Sequence, residues 1–313
     1  MVTEGLLPWY AANRRDLPWR KSREPYAVWV SEIMLQQTRV EAVIPYYRRF
    51  MQALPDVRAL ADAPEEQLLK LWEGLGYYSR VRNMQAAAGQ IVKRGGFPQT
   101  AEELKKLKGF GDYTAGAVAS IAFAQRAAAV DGNVLRVWTR MERVGESIKI
   151  PSVKRACTRA VLEAMPEEAD PGQYNQALME LGATVCTPRS PDCAHCPVQA
   201  HCGAFAADEA EDYPVKDSKP VKAVEEFDVY LIVKDGRALV RKRPKSGLLA
   251  GISAREASRA REAGAAAGGC EARLYAQNMA DARAARRACR RGGGLRLGGR
   301  AGACRPADAH AHG

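Results

Sequence analysis

The chain has 313 residues, 47% of them hydrophobic, enough for about two domains with genuine cores. No apolar run approaches the roughly 18 residues of a membrane span, so membrane-spanning classes drop out. The formal net charge is +11, but the 12 Arg and 5 Asp and Glu that follow Gly251 supply +7 of it, so charge alone does not identify a nucleic-acid partner.

Residues Met1 to Glu24 interleave Trp9, Tyr10 and Trp19 with Arg14, Arg15, Arg20, Lys21 and Arg23. Aromatics among cations suit stacking on bases and pairing with phosphates, and equally suit an N-terminal helix docked through its tryptophans. Pro25 to Val43 then reads as one long helix, with an apolar face at Val28, Trp29, Ile33 and Val40. On it stand Glu32, Leu35, Gln36 and Gln37, an unusual group of hydrogen-bonding or wedging side chains amid apolar neighbours. Further helices are expected at 45–53, 65–72 and 79–94. Between the last two lies Gly74-Leu75-Gly76-Tyr77-Tyr78, a glycine-punctuated turn tipped with Leu75 and Tyr77. An apolar wedge on such a turn is suited to prising open a base step.

Next, Gly109-Phe110-Gly111 separates a helix expected at 101–107 from one at 113–124. The two glycines permit a tight hairpin whose amides and following helix N-terminus can grip a phosphate backbone, as in a helix–hairpin–helix element. Asp131, before Gly132 and Asn133, reads as the N-cap of a helix running to about Val144. By itself it is a plain cap. Paired with Glu32 it offers more. An acid in an apolar pocket stays protonated and an acid at a helix N-terminus stays ionised, which is an acid and an electrostatic partner for cleaving a glycosidic bond.

A helix near 152–165 carries Cys157, read as a small buried residue. The helix expected at 173–185 ends on Cys186, the first of four cysteines within seventeen residues, with Cys193, Cys196 and Cys202. Structural zinc sites usually show two tight pairs. Here one tight pair is flanked by single cysteines at six and five residues, which suits a 4Fe–4S cubane better than zinc. Two disulfides fit less well, because no signal peptide marks an oxidising compartment. His195 and His201, beside these cysteines, are alternative ligands.

Segments 28–47 (VWVSEIMLQQTRVEAVIPYY), 71–83 (LWEGLGYYSRVRN), 107–123 (LKGFGDYTAGAVASIAF) and 130–137 (VDGNVLRV), followed by the cysteine loop, closely resemble the MutY adenine DNA glycosylases. The likeness is nearly continuous from about Leu6 to Pro220. It implies an all-α catalytic core with the helix–hairpin–helix glycosylase fold. One helical subdomain, residues 25–134, would hold the hairpin, and residues 1–24 and 135–206 would form the iron–sulfur subdomain.

The resemblance also implies removal of adenine mispaired with 8-oxoguanine or guanine in double-stranded DNA, by flipping the base out of the duplex. Glu32 would protonate the departing adenine and then position water. Asp131 would stabilise the oxocarbenium-like sugar, through its charge or a transient covalent bond. Trp19, Arg20 and Leu35 would line the adenine pocket, and Gln37 and Tyr77 would probe the stack near the opposite base. Endonuclease III carries a nucleophilic lysine where this chain has Tyr113, so a monofunctional glycosylase is expected. Cys186, Cys193, Cys196 and Cys202 would bind a 4Fe–4S cluster that folds a basic loop against DNA without entering the chemistry. A monomer in a bacterial cytoplasm is expected.

Beyond a polar linker at 207–222, residues 223–251 look like the start of a β-rich Nudix-like domain that recognises the 8-oxoguanine strand, with a hairpin around Asp235-Gly236. From Ile252 to Gly313 about two-thirds of residues are Ala, Arg or Gly and no strand pattern is found. A disordered product of a frame change near Gly251 is expected, with a genuine basic tail as the rival, and a weakened preference for 8-oxoguanine over guanine as the consequence.

Overall fold

The structure, a computed structural model, describes residues 3–215 continuously and, beyond them, a set of short strands between Phe227 and Gly302. The chain divides into two compact units, Met1–Ser218 and Lys219–Gly313.

The described part of the first unit is helical. Helices α1 (Leu6–Asn13), α2 (Pro25–Leu35), α3 (Val40–Ala53), α4 (Val57–Asp62), α5 (Glu65–Leu71) and α6 (Ser79–Arg94) come first. They are followed by α7 (Ala101–Leu104), α8 (Asp112–Phe123), α9 (Gly132–Met141), α10 (Pro151–Ala164), α11 (Pro171–Thr184) and α12 (Gly203–Ala206). No helix among the described residues is long and apolar enough to cross a membrane.

Two hydrophobic cores organise these helices. One runs from Leu17 and Trp19 through α2–α8 to Ala129. The other gathers Leu6 and Tyr10 of α1 with Val130 to Val198, and includes the buried Cys157. The chain therefore crosses from one core to the other between Ala129 and Val130, directly before Asp131. Its first crossing lies between Tyr10 and Leu17, directly before Arg20.

Helix α2 starts on Pro25 at its first turn, with the Glu24 carboxylate accepting from the Ala27 amide (2.9 Å). Every residue from Tyr26 to Met34 is buried. The sequence suggests an amphipathic helix, but α2 is enclosed on all sides, and that enclosure strips Glu32 of water. Nor is Pro25–Val43 one helix. It breaks after Leu35, where Gln37 adopts a left-handed conformation (φ 57°), and restarts at Val40. The short helix α4 carries no signal in the sequence pattern, because its six residues are too few to show a period.

The segment leading to Asp131 is held by close backbone packing. A Cβ on Gly116 of α8 would lie 2.0 Å from the Ala128 carbonyl oxygen. From α11, the fully buried Asn175 accepts from the Ala129 amide (3.0 Å) and donates to the Ala127 carbonyl (2.8 Å) and the Ser120 hydroxyl (2.9 Å). Every polar atom of this amide is engaged, so the segment carrying Asp131 cannot drift without exposing a buried polar group.

In the second unit, Val233–Lys234 pairs antiparallel with Arg237–Ala238; the Asp235-Gly236 turn expected from sequence lies outside the described residues. Phe227–Leu231 lies between Ala257–Arg259 and Cys270–Leu274 in a three-stranded antiparallel sheet. Strands thus enter the stretch after Ile252 where no side-chain alternation marks them, since backbone pairing needs no particular side chain. The rest of the linker, of the Nudix-like segment and of the tail lies outside the described residues.

Candidate active site

Glu32 and Asp131 approach from opposite cores and line one open cleft of about 810 Å³, with Trp19, Arg20, Leu35, Gln36, Gln37, Tyr113 and Asn133. The sequence separates these residues widely, and the two-core arrangement brings them together.

Glu32 is only 6% exposed. Burial pushes its carboxyl up to about 7, reinforced by the nearby Asp131 charge and opposed by the Tyr113 hydroxyl and by Arg20. The Tyr113 Oη donates to Glu32 Oε2 and also lies 3.3 Å from Met179 Sδ. The Tyr113 phenol is itself held far above its ordinary range by burial and by both carboxylates. It therefore remains a proton-bearing donor, and its hydroxyl engages Oε2 of the Glu32 carboxyl.

Asp131 is the N-cap of α9. Its Oδ1 accepts from the Val134 amide (2.8 Å) and its Oδ2 from Asn133 Nδ2 (2.8 Å). The sequence suggests that the cap keeps this acid ionised. Burial raises the Asp131 carboxyl above its ordinary value, with the Val134 and Asn133 donors and Arg136 pulling against it. The two acids still differ in kind. The Glu32 carboxyl accepts one hydrogen bond and the Asp131 carboxyl two.

Asn133 does more than follow a cap. Its Oδ1 accepts from Arg136 Nη2 (2.9 Å), and Arg136 also donates to the Gly182 carbonyl (2.6 Å) and, through Nε, to the Cys186 carbonyl (2.8 Å). One chain of hydrogen bonds thus runs from Asp131 to the start of the cysteine loop. Gly182 permits it, since a Cβ there would come 2.6 Å from that of Asn133.

Sequence reading missed Glu180 and the role of Arg15. Glu180, 1% exposed, receives Arg15 Nε (2.8 Å), Arg15 Nη2 (2.8 Å) and the Arg15 amide (3.0 Å), and also Arg20 Nη2 (2.8 Å). Burial pushes its carboxyl up, but these donors outweigh burial and hold it at about 2. An acid flanked by apolar residues on α11 carries no sequence sign of two arginine partners some 160 residues upstream.

At the loops expected to meet DNA the outcome is mixed. Gln37 and Tyr77 are exposed, Tyr77 at 64%, whereas Leu75 is buried in the first core and is not at the tip of its turn. Gln36 points the other way, donating to Thr114 Oγ1 (3.4 Å). In the hairpin only Gly109 needs glycine, with φ 79° and a Cβ that would meet Asn83 at 2.8 Å. Gly111 is extended (φ −96°, ψ 178°) and caps α8.

Cys186, Cys193, Cys196 and Cys202 all line one apolar cavity with Val137, Leu181 and Val198, while neither His195 nor His201 does. His195 is instead paired with Asp192 (2.8 Å). Among the described residues no group of three or more His, Cys, Asp or Glu is arranged around a single ion. Four thiols spread around an apolar space fit a polynuclear cluster better than one tetrahedral metal. Arg140, 1% exposed, donates to Cys186 Sγ (3.2 Å) and to the Thr187 carbonyl (2.7 Å), supplying positive charge where thiolates would gather.

Residues 30–162 match the HhH-GPD superfamily of base excision DNA repair proteins, and residues 186–202 match the iron–sulfur binding domain of endonuclease III. The chain is 41% identical over 292 residues to the adenine DNA glycosylase of Arabidopsis thaliana, covering 80% of this chain and 46% of that protein. It is 34% identical over 311 residues to the adenine DNA glycosylase of Schizosaccharomyces pombe, covering 80% and 67%. Among solved structures, a thermostable thymine-DNA glycosylase matches with a TM-score of 0.59 at 26% identity, over 66% of this chain and 95% of the other. The chain spans about half the length of several curated relatives it matches.

Proposed function

The chain belongs to the adenine DNA glycosylase family, and from that premise we propose that it hydrolyses the N-glycosidic bond of adenine mispaired with 8-oxoguanine or guanine in duplex DNA. The observation that carries the reading is the pairing of Glu32, protonated near neutrality, with a hydrogen-bonded Asp131 across one cleft.

The chemistry follows from these two environments. Adenine is a poor leaving group as an anion, so cleavage needs a proton delivered to the base. Glu32 holds one at neutral pH, and the Tyr113 hydroxyl engages Oε2 of its carboxyl. As the bond breaks, positive charge grows on the sugar, and the Asp131 carboxylate stabilises it. Glu32, now ionised, accepts a proton from the water that attacks the sugar. A tyrosine at position 113 cannot form a Schiff base, so the strand stays uncut.

Cys186, Cys193, Cys196 and Cys202 would hold the 4Fe–4S cluster, with Arg140 beside Cys186. Such a cluster, when bound, would tie the four cysteines into one folded loop. The Glu180 carboxylate keeps Arg15 and Arg20 on the cleft wall, where they shape the base pocket with Trp19.

Single-turnover excision on adenine:8-oxoguanine and adenine:guanine duplexes tests the reading. Glu32→Gln and Asp131→Asn should abolish excision while duplex binding persists. Unchanged excision by both variants would place the chemistry elsewhere, and no excision by the unaltered protein would leave a DNA-binding iron–sulfur protein.

A further inference from the structure

Two exposed loop tips, one of them on the cleft, rest on non-glycine residues in the left-handed region: Gln37 (φ 57°) after α2, which lines the cleft, and Tyr77 (φ 46°) before α6. Such conformations are costly for side chains with a Cβ and persist only where surroundings impose them. One residue contacts the backbone at both.

Arg80 is half-buried in the first turn of α6. Its Nη1 donates to the carbonyls of Ile33 (2.7 Å) and Gln36 (2.7 Å), and its Nη2 to those of Leu75 (3.2 Å) and Gly76 (3.4 Å). The Gln36 carbonyl belongs to the peptide directly before Gln37, and the Gly76 carbonyl to the peptide directly before Tyr77. The same guanidinium therefore clamps the peptide plane that leads into each left-handed residue. It also lies over the Trp72 ring (5.4 Å) and the Tyr77 ring (5.6 Å), and the Trp72 indole donates to the Gly76 carbonyl (2.9 Å).

The arrangement has a local cause. Helix α2 ends at Leu35, and its last carbonyls have no partner within the helix. Arg80 satisfies them with one edge and satisfies the Gly74–Tyr78 turn with the other. A planar fork with five donors can span two loops in this way, whereas an ammonium group, a single point, cannot.

We infer that Arg80 is a positioning residue that locks the Gln37 tip to the Tyr77 tip, so that the two enter a duplex as one preassembled unit. The inference rests on the glycosylase reading, because that reading has these tips meet DNA. The lock works by preorganisation: neither tip has to be ordered separately on binding. It also carries any displacement of one tip to the other and to the C-terminal end of the helix that bears Glu32.

A double-mutant cycle tests the lock. Affinity is measured for a duplex with non-hydrolysable 2′-fluoro-2′-deoxyadenosine opposite 8-oxoguanine, using Gln37→Ala, Tyr77→Ala and the pair. With Arg80 present, the loss in the double variant should fall short of the product of the single losses by about fivefold or more. With Arg80→Lys the losses should multiply. A merely structural arginine would change overall stability without changing this coupling. Multiplicative losses with Arg80 in place, or coupling that survives Arg80→Lys, overturns the proposal.

If Arg80→Lys does not fold, Gln37→Gly decides instead. Amide exchange at residues 75–78 of that variant should accelerate, and unchanged exchange there overturns the proposal. Absence of adenine excision by the unaltered protein would instead overturn the glycosylase reading beneath it.

Discussion

Tyr113 donates its hydroxyl to Glu32 from 81 residues away, bringing the helix after the hairpin onto a carboxyl that the fold almost wholly buries. This bond favours the ionised carboxylate, so it works against the burial that raises Glu32 to about 7. Excision that depends on protonated Glu32 should therefore decline above about pH 7, and on the acid side it should fall only where Asp131 takes up a proton. Tyr113→Phe removes the opposing bond, so its alkaline limb should move to higher pH. Single-turnover rates between pH 5 and 9 measure both, and a limb that moves to lower pH would contradict the assignment.

The same enclosure costs stability. Between about pH 4.5 and 7 the folded protein keeps a proton on Glu32 that the unfolded chain has already released. Stability therefore falls as pH rises through that window and stays low above it. Glu32→Gln lacks this penalty, so it should be the more stable protein at pH 8, by up to roughly 3 kcal/mol, with the advantage vanishing near pH 4. Urea unfolding at the two pH values gives the comparison.

Glu180 has the opposite sign. Held at about 2 by Arg15 and Arg20, it contributes stability that is complete above about pH 4.5 and is lost as pH falls toward 2. Glu180→Gln should lose about 3 kcal/mol at pH 7, less whatever the amide recovers, with the deficit closing in acid. Because two arginines on the cleft wall lose their anchor, its excision rate should fall as well. Acid titrations followed by circular dichroism report the stability half of this expectation.

Gly116→Ala tests the support beneath Asp131. The new methyl would meet the Ala128 carbonyl at 2.0 Å, a backbone atom that cannot swing aside. A loss of about 1–3 kcal/mol is expected, together with slower excision per folded molecule, because the displaced segment carries Asp131. An undiminished rate in the folded fraction would mean that the segment tolerates the shift.

For the cysteine loop, the purified protein should be brown, with broad visible absorbance and iron and sulfide in equal amounts. Cys196→Ser should lower that absorbance and the affinity for duplex together. A colourless protein carrying zinc would replace the cluster with a single ion.

Several features were present in the sequence because they are local. A proline at the first turn of α2, a carboxylate capping α9, a glycine that must take φ 79° at Gly109, and four cysteines within a short loop all act over a few residues. Their physics is set by neighbours in the chain, so the acid pair, the hairpin and the metal loop could be named from residue order and the family resemblance. The tertiary structure decided what depends on enclosure. It placed Leu75 in the core and left Tyr77 outside, raised Asp131 where a helix cap alone would have lowered it, and gave Glu180 two arginines from the other end of the chain. Desolvation and long-range hydrogen bonding depend on which atoms surround a group in space, and residue order does not contain that until two cores have formed with a cleft between them.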